Sequence, residues 1–123
     1  MSKPLLQIAL DNSVLSDAIS SIRQVGDEVD IIEAGTILCL AEGMEAVRCL
    51  RAMYPNKIIL ADTKCADAGK TVAENCARAG ADWMTVICSA TIPTMVAAKK
   101  EVKDLQVELY GDWTYEHAKA WKE

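Results

Sequence analysis

Asp62, Lys64 and Asp67 follow an unbroken apolar run in the stretch Ile58-Ile59-Leu60-Ala61-Asp62-Thr63-Lys64-Cys65-Ala66-Asp67-Ala68-Gly69. Such a run reads as a buried strand that delivers polar groups at its carboxyl end. Side chains alternate along an extended chain, so Asp62 and Lys64 are predicted to share a face, with Asp67 beyond them where a helix begins. A carboxylate beside an ammonium is either a structural ion pair or a catalytic one. Lys64, read here as flanked by Asp62 and Asp67, is expected to stay protonated. A fixed cation of that kind can stabilise an oxyanion as it develops.

Three other apolar runs end in acids: Leu5–Leu10 in Asp11, Val29–Ile32 in Glu33, and Leu105–Leu109, which carries Glu108. If these runs lie in one curved sheet, Asp11, Glu33, Asp62, Lys64 and Glu108 converge on a single bowl. Acids on adjacent strands, Glu33 and Asp62, could hold Mg2+, which takes one or two carboxylates and completes its shell with water and substrate oxygens. A hard cation next to a fixed ammonium suits enediolate formation, by loss of carbon dioxide or by aldol cleavage. The alternative is that each acid merely caps a helix or solvates a loop.

The elements that must position these groups alternate. A strand at Leu5–Leu10 leads through Asp11-Asn12-Ser13, read as capping residues, into a helix with Val14, Ala18, Ile22 and Val25 on one face, ended by Gly26. The second strand is Val29–Glu33, followed by Ile37–Leu40 as a packed loop. A second helix carries Met44, Val47, Leu50 and Tyr54 and stops at Pro55. After the opening stretch come a helix over 69–79 closed by Gly80, a strand Trp83–Ile87, a helix capped by Ser89 or Thr91, and the strand Leu105–Leu109. Tyr115–Glu123 reads as a fifth βα helix with no closing residue. Trp113, Tyr115 and Trp121 read as packing residues, and His117 as a surface one.

Repeated βα units call for parallel strands with right-handed crossovers. Both a doubly wound sheet and part of a (β/α)8 barrel accommodate them. The six glycines are scattered singly and none forms a Gly-rich turn after the first strand, so a dinucleotide site is not expected. Counting back in twos from the terminal acids places Gln7, Ala9, Val29, Ile31, Ile58, Leu60 and Gln106 on one face, a mixture that suits a barrel lumen. A barrel of this type runs to about 250 residues. The 123 residues here are about half of one, so the fold expected is a single α/β domain over 1–123, the N-terminal half of a (β/α)8 barrel, truncated within or just after the fifth helix.

The totals exclude several classes. A net charge of −5 argues against nucleic acid as a partner. No apolar run approaches the ~20 residues of a membrane helix, and no signal sequence opens the chain, so a cytoplasmic protein is expected. Five cysteines, odd in number and widely spaced, with one histidine, support neither a zinc site nor a disulfide framework.

Asp62-x-Lys64-x-x-Asp67 resembles the signature of the orotidine monophosphate decarboxylase superfamily. With Leu6–Asp11, Val29–Thr36 and Gly80–Val86 around it, the text is similar to the 3-keto-L-gulonate 6-phosphate decarboxylase branch, over essentially all of this chain but only the N-terminal part of the family's. The resemblance implies a magnesium-dependent decarboxylase of pentose and L-ascorbate catabolism that makes L-xylulose 5-phosphate through an enediolate. By matched position, Glu33 and Asp62 bind Mg2+, Lys64 stabilises the enediolate, and Asp11 and Glu108 contact substrate hydroxyls. The residue matching Asp67 reaches the neighbouring subunit's site in a dimer. Hexulose-6-phosphate synthase, an aldolase, is the sister activity, and a non-catalytic, self-associating half-barrel is a further alternative. The family's later strands, with a histidine and arginine loop and the phosphate loops, fall outside this sequence. The isolated chain is therefore expected to have little or no activity, and its uncovered sheet edges are expected to drive it into a dimer or higher oligomer.

Overall fold

The computed structural model describes residues 2–108. Its elements run β1 (Gln7–Leu10), α1 (Leu15–Val25), a 3-10 turn (Gly26–Glu28), β2 (Ile31–Ala34), α2 (Thr36–Glu42), α3 (Glu45–Met53), β3 (Ile58–Cys65), α4 (Gly69–Ala79), β4 (Trp83–Ile87), α5 (Ile92–Lys99) and β5 (Asp104–Glu108). Trp113, Tyr115, His117 and Trp121, with the expected fifth helix, lie outside the described residues, as does Leu109. No helix among the described residues is long and apolar enough to cross a membrane.

The strands form one parallel sheet in sequence order, β1-β2-β3-β4-β5. A doubly wound sheet reverses its order at a switch point, whereas a (β/α)8 wall does not. Curvature settles the choice. Flat strands would hold β1 and β5 about 19 Å apart, four spacings of roughly 4.8 Å. Instead Gln106 Nε2 on β5 donates to Gln7 Oε1 on β1 at 3.2 Å. The fold is the N-terminal five-strand portion of a (β/α)8 barrel.

The two faces of the sheet differ as the pleat requires. Leu10, Ile32, Ala34, Ile59, Ala61, Met84 and Val86 face outward and pack against Ala18, Ile22, Leu38, Val47, Leu50, Ala73 and Cys76 of the helices. In register on the other face are Gln7, Ile31 and Ile58, then Ala9, Glu33 and Leu60, which pairs with Trp83. Val29 does not join that face. It precedes β2 and packs in the helix-side core, next to Asp30, whose carboxylate accepts the Leu6 N–H at 2.8 Å.

Several local readings change for identifiable reasons. Ile37–Leu40 is helical, part of α2, not a loop. Leu38 is fully buried while Ile37 and Leu40 are 48% and 79% exposed, so apolar residues lie on both sides of a two-turn helix and hide its period. Residues 11–13 place no side-chain cap on α1. The Leu15 N–H is instead accepted by Glu42 Oε1 at 3.1 Å, from the far end of α2. Gly26 has φ −58°, so it is no left-handed terminator. A Cβ there would collide with the Tyr54 ring, which is why the position is glycine. Thr91, rather than Ser89, caps α5 by accepting from the Thr94 N–H.

Candidate active site at the carboxyl ends of the strands

β2 carries Glu33 and β3 carries Asp62 and Lys64. β5 brings Glu108, and β4 and the first turn of α2 add Thr85 and Thr36. Asp62 is the best-held member. Its Oδ2 accepts from Lys64 Nζ at 2.6 Å and Thr36 Oγ1 at 2.7 Å, and its Oδ1 accepts from Thr85 Oγ1 at 2.7 Å. Burial alone would raise its pKa, but the bonds from Lys64, Thr85 and Thr36 overcome burial and hold it well below the usual carboxylate range.

Lys64 Nζ also meets Glu108 Oε2 at 3.1 Å and donates to Thr36 Oγ1 at 2.5 Å. Burial works against its charged form, and the hydrogen bonds to Asp62 and Glu108 more than restore it, so its pKa is raised. The expected second acidic neighbour was Asp67. The structure supplies Glu108 instead, and Asp67 is exposed on the turn before α4, its carboxylate forming no salt bridge among the described residues. Regular alternation is not what joins Lys64 to Asp62 either. The β3–β4 register runs Ala61↔Met84 and resumes at Cys65↔Val86, and Lys64 sits in the left-handed region with φ 47°. A bulge aims the lysine.

Glu33 is buried, with Gln7 Nε2 donating to its Oε2 at 2.5 Å. Burial pushes its pKa up, Gln7 opposes, and the charges of Asp62 and Glu108 add to the rise, leaving it at about 7. Glu108 is raised by burial and by Asp62, against the pull of Lys64. The ligand oxygens of Glu33, Asp62 and Glu108 lie within 4.8 Å of one another. Three carboxylate oxygens gathered this closely are the hard, oxygen-only donor type that Mg2+ takes. Among the described residues three acids crowd around one ammonium, an excess of negative charge that a divalent cation would neutralise, and these residues fit the ion.

Asp11 stands at the same rim but outside the carboxylate trio. It is exposed and lies against Gly35, where a Cβ would collide with its carboxylate and with the Leu10 carbonyl. Thr36, Thr85 and Gln7 gained no site role from the sequence. Thr85 carried a signal, a hydroxyl in an otherwise apolar strand that must find a partner when buried. Cys39 Sγ donates to Ala34 O at 3.3 Å, and burial together with Asp62 pushes its thiol up to about 11, which disfavours the thiolate.

The family model for the orotidine 5'-phosphate decarboxylase / HUMPS family matches residues 4–123. A 3-keto-L-gulonate-6-phosphate decarboxylase, UlaD, of Escherichia coli O17:K52:H18 is 53% identical over all of this chain, which covers 59% of that protein. A solved structure of KGPDC from Streptococcus mutans superposes with TM-score 0.90 at 58% identity, covering 98% of this chain and 61% of that one. A 3-hexulose-6-phosphate synthase from Salmonella typhimurium reaches TM-score 0.87 at 30% identity, over 97% of this chain and 59% of its own. The chain thus spans about three-fifths of these relatives' length. With the strand order, the strand-end acids and this similarity in agreement, the chain belongs to the orotidine 5'-phosphate decarboxylase / HUMPS family.

Proposed function

We propose that the chain carries the cation- and enediolate-handling part of a magnesium-dependent carboxy-lyase that converts 3-keto-L-gulonate 6-phosphate to L-xylulose 5-phosphate and carbon dioxide. The observation that supports this most directly is Lys64 held between Asp62 and Glu108, beside three carboxylates whose oxygens lie within 4.8 Å. Glu33 and Asp62 would hold Mg2+, with Glu108 near enough to add an oxygen or to contact a substrate hydroxyl. When bound, the ion supplies Lewis-acid polarisation of substrate oxygens. Lys64 keeps its proton and places positive charge where the enediolate oxygen develops as carbon dioxide leaves. Asp62 keeps Lys64 there, and Asp11 contacts substrate hydroxyls from the rim. Asp67, on its exposed turn, reaches the second subunit of a dimer. The exposed Ile37 and Leu40 of α2, next to Thr36, support association on this side, and light scattering that finds only monomer at micromolar concentration would count against it.

The test is carbon dioxide release from 3-keto-L-gulonate 6-phosphate. The 123-residue chain by itself is expected to turn over little, and a rate near that of complete family enzymes would overturn that expectation. Adding the separately made C-terminal segment of a close relative should restore release that requires magnesium and is lost in Lys64→Ala. Condensation of formaldehyde with ribulose 5-phosphate in its place would assign the aldolase reaction. Failure of both reactions in the reassembled protein would leave a self-associating half-barrel.

A further inference from the structure

We propose that Thr85 is a positioning residue for this reaction, its hydroxyl fixing both the backbone of Lys64 and the carboxylate of Asp62. The proposal rests on the functional reading above. Thr85 is fully buried at the middle of β4. Its Oγ1 donates to Asp62 Oδ1 at 2.7 Å and accepts from the Lys64 backbone N–H at 2.8 Å.

Those two bonds stand where the sheet ladder fails. Between Ala61↔Met84 and Cys65↔Val86 the register gains two residues on β3, so the Lys64 N–H has left the ordinary strand-to-strand pattern. A buried N–H without a partner is costly, and here the partner is a side chain of the neighbouring strand. Lys64 meanwhile holds φ 47°, a conformation that L residues other than Gly, Asn and Asp seldom adopt and that persists only where surrounding bonds determine it. Thr63 Oγ1 donates to Thr85 O at 3.1 Å, tying the same bulge to the same residue from the other side. One hydroxyl therefore joins two reacting-site groups that lie close together in the chain and could otherwise turn apart. Thr36 Oγ1 bridges the same pair at its outer edge, on Asp62 Oδ2 and Lys64 Nζ. That bond constrains the side-chain tips but not the backbone conformation from which Lys64 springs.

The experiment uses the whole chain with Thr85→Val, which keeps the shape and deletes the hydroxyl, and Thr85→Ser, which restores it. Two readouts are taken: the chemical shift and hydrogen exchange of the Lys64 backbone amide without added cation, and magnesium affinity by calorimetry. The valine variant should shift the Lys64 resonance and speed its exchange. It should also weaken magnesium binding by about 10-fold or more, the usual effect of losing a group that orients a ligand. The serine variant should return both toward the parent. Thr63→Val serves as the control, because it loosens the bulge without removing a bond to Asp62 and should weaken magnesium binding clearly less than Thr85→Val does.

An unchanged Lys64 amide in the valine variant, or a serine variant no better than valine, overturns the proposal, as does a Thr63→Val loss equal to that of Thr85→Val. If Thr85→Val does not fold, Thr85→Cys takes its place with the same criteria. A parent chain that binds no magnesium overturns the functional reading and with it the catalytic purpose given to Thr85, while the Lys64 amide still decides the separate geometric part, that the Thr85 hydroxyl fixes Lys64 against Asp62.

Discussion

Two buried aspartates, one at each end of the sheet, are held by opposite arrangements of charge. Asp82, at the amino end of β4, accepts from Lys103 Nζ at 2.6 Å, from the Ile59 N–H at 3.0 Å and from Arg51. Two cations serve one acid. Burial alone would raise its pKa, and the bonds from Lys103, Ile59 and Arg51 carry it below the ordinary value. Arg51 extends the knot by donating to the carbonyls of Gly80, Pro55 and Lys57 at 2.8, 3.1 and 2.9 Å. At the carboxyl end, Asp62 shares one lysine with Glu108 and crowds Glu33, so one acid is satisfied at the expense of two whose pKa values are raised. Among the described residues, the amino end gives one acid two cations and the carboxyl end gathers three acids about one lysine, in line with the stability and active-site faces of a (β/α)8 wall. A cavity of about 650 Å3 opens at the amino end between Arg51, Asp82, Trp83 and Lys103. Size alone does not mark the site, because the polar groups beside that cavity already serve one another.

The largest effect should come from breaking the balanced end. Asp82→Ala strands Arg51 against buried backbone, and removing one partner of a buried ion pair costs about 3 kcal/mol or more. Urea unfolding should show that loss, while magnesium affinity measured on the folded fraction stays at the parent value. A loss of cation binding as large as the loss of stability would break the separation of the two ends.

The mirror experiment is Glu33→Gln. Neutralising an acid that burial and neighbouring acids disfavour should stabilise the cation-free chain at pH 8 by about 2 kcal/mol, given roughly 1.4 kcal/mol per pH unit of displacement and discounting for partial burial. The same change should abolish magnesium binding. Destabilisation comparable with Asp82→Ala would show that the acidic rim is as structural as the basic knot.

Much of this division was legible in the residues. Charged residues closing apolar runs placed Glu33, Asp62, Lys64 and Glu108 at strand ends, because a parallel strand buried on both faces must be apolar until it emerges. Counting in twos found Gln7 and Gln106 on the lumen side, and they now hydrogen-bond across it. Thr85 and Trp83 escaped the count because β4 ends in no acid from which to count back. The bulge at Lys64 was invisible for a different reason. It depends on the neighbouring strand's register, and no local pattern in Asp62-Thr63-Lys64-Cys65 announces a left-handed lysine. Asp82 was passed over as well: at the amino end of a strand it looks like a turn residue until Arg51 and Lys103, far away in sequence, close on it.

The pH dependence should separate the raised acids of the rim from the depressed aspartates, Asp62 and Asp82, without mutation. Glu33 has a folded pKa of about 7 against an ordinary 4.5, so between those values the folded chain binds more protons than the unfolded one. Through Glu33, stability without added cation should therefore fall as pH rises from about 4.5 to about 7, with a slope of at most about 1.4 kcal/mol per unit from that group, and the raised Glu108 adds in the same sense. Asp82 and Asp62 act in the other sense: their folded pKa values lie below the ordinary 3.8, so their contributions are present above that value and lost as pH falls through the folded pKa values. Glu33→Gln should flatten the neutral limb only, and millimolar magnesium should oppose the neutral decline by drawing Glu33 into its ionised form. A neutral limb that survives Glu33→Gln unchanged would move its origin away from Glu33, with Glu108, the other raised acid of the rim, next in line.

The smallest effect tests whether the knot's strength comes from burial or from the number of charges. Lys103 is 79% exposed as a side chain, whereas Arg51 is 25% exposed, and both touch Asp82. If burial decides, Lys103→Met should cost no more than about 1 kcal/mol, the scale of an exposed ion pair, and the loss should shrink further in high salt. Asp82 would keep Arg51 and the Ile59 N–H and remain ionised. If charge count decides, Lys103→Met should approach Asp82→Ala in the same urea titration. The amino end would then be as delicately balanced as the rim, and the contrast between them would reduce to one extra lysine.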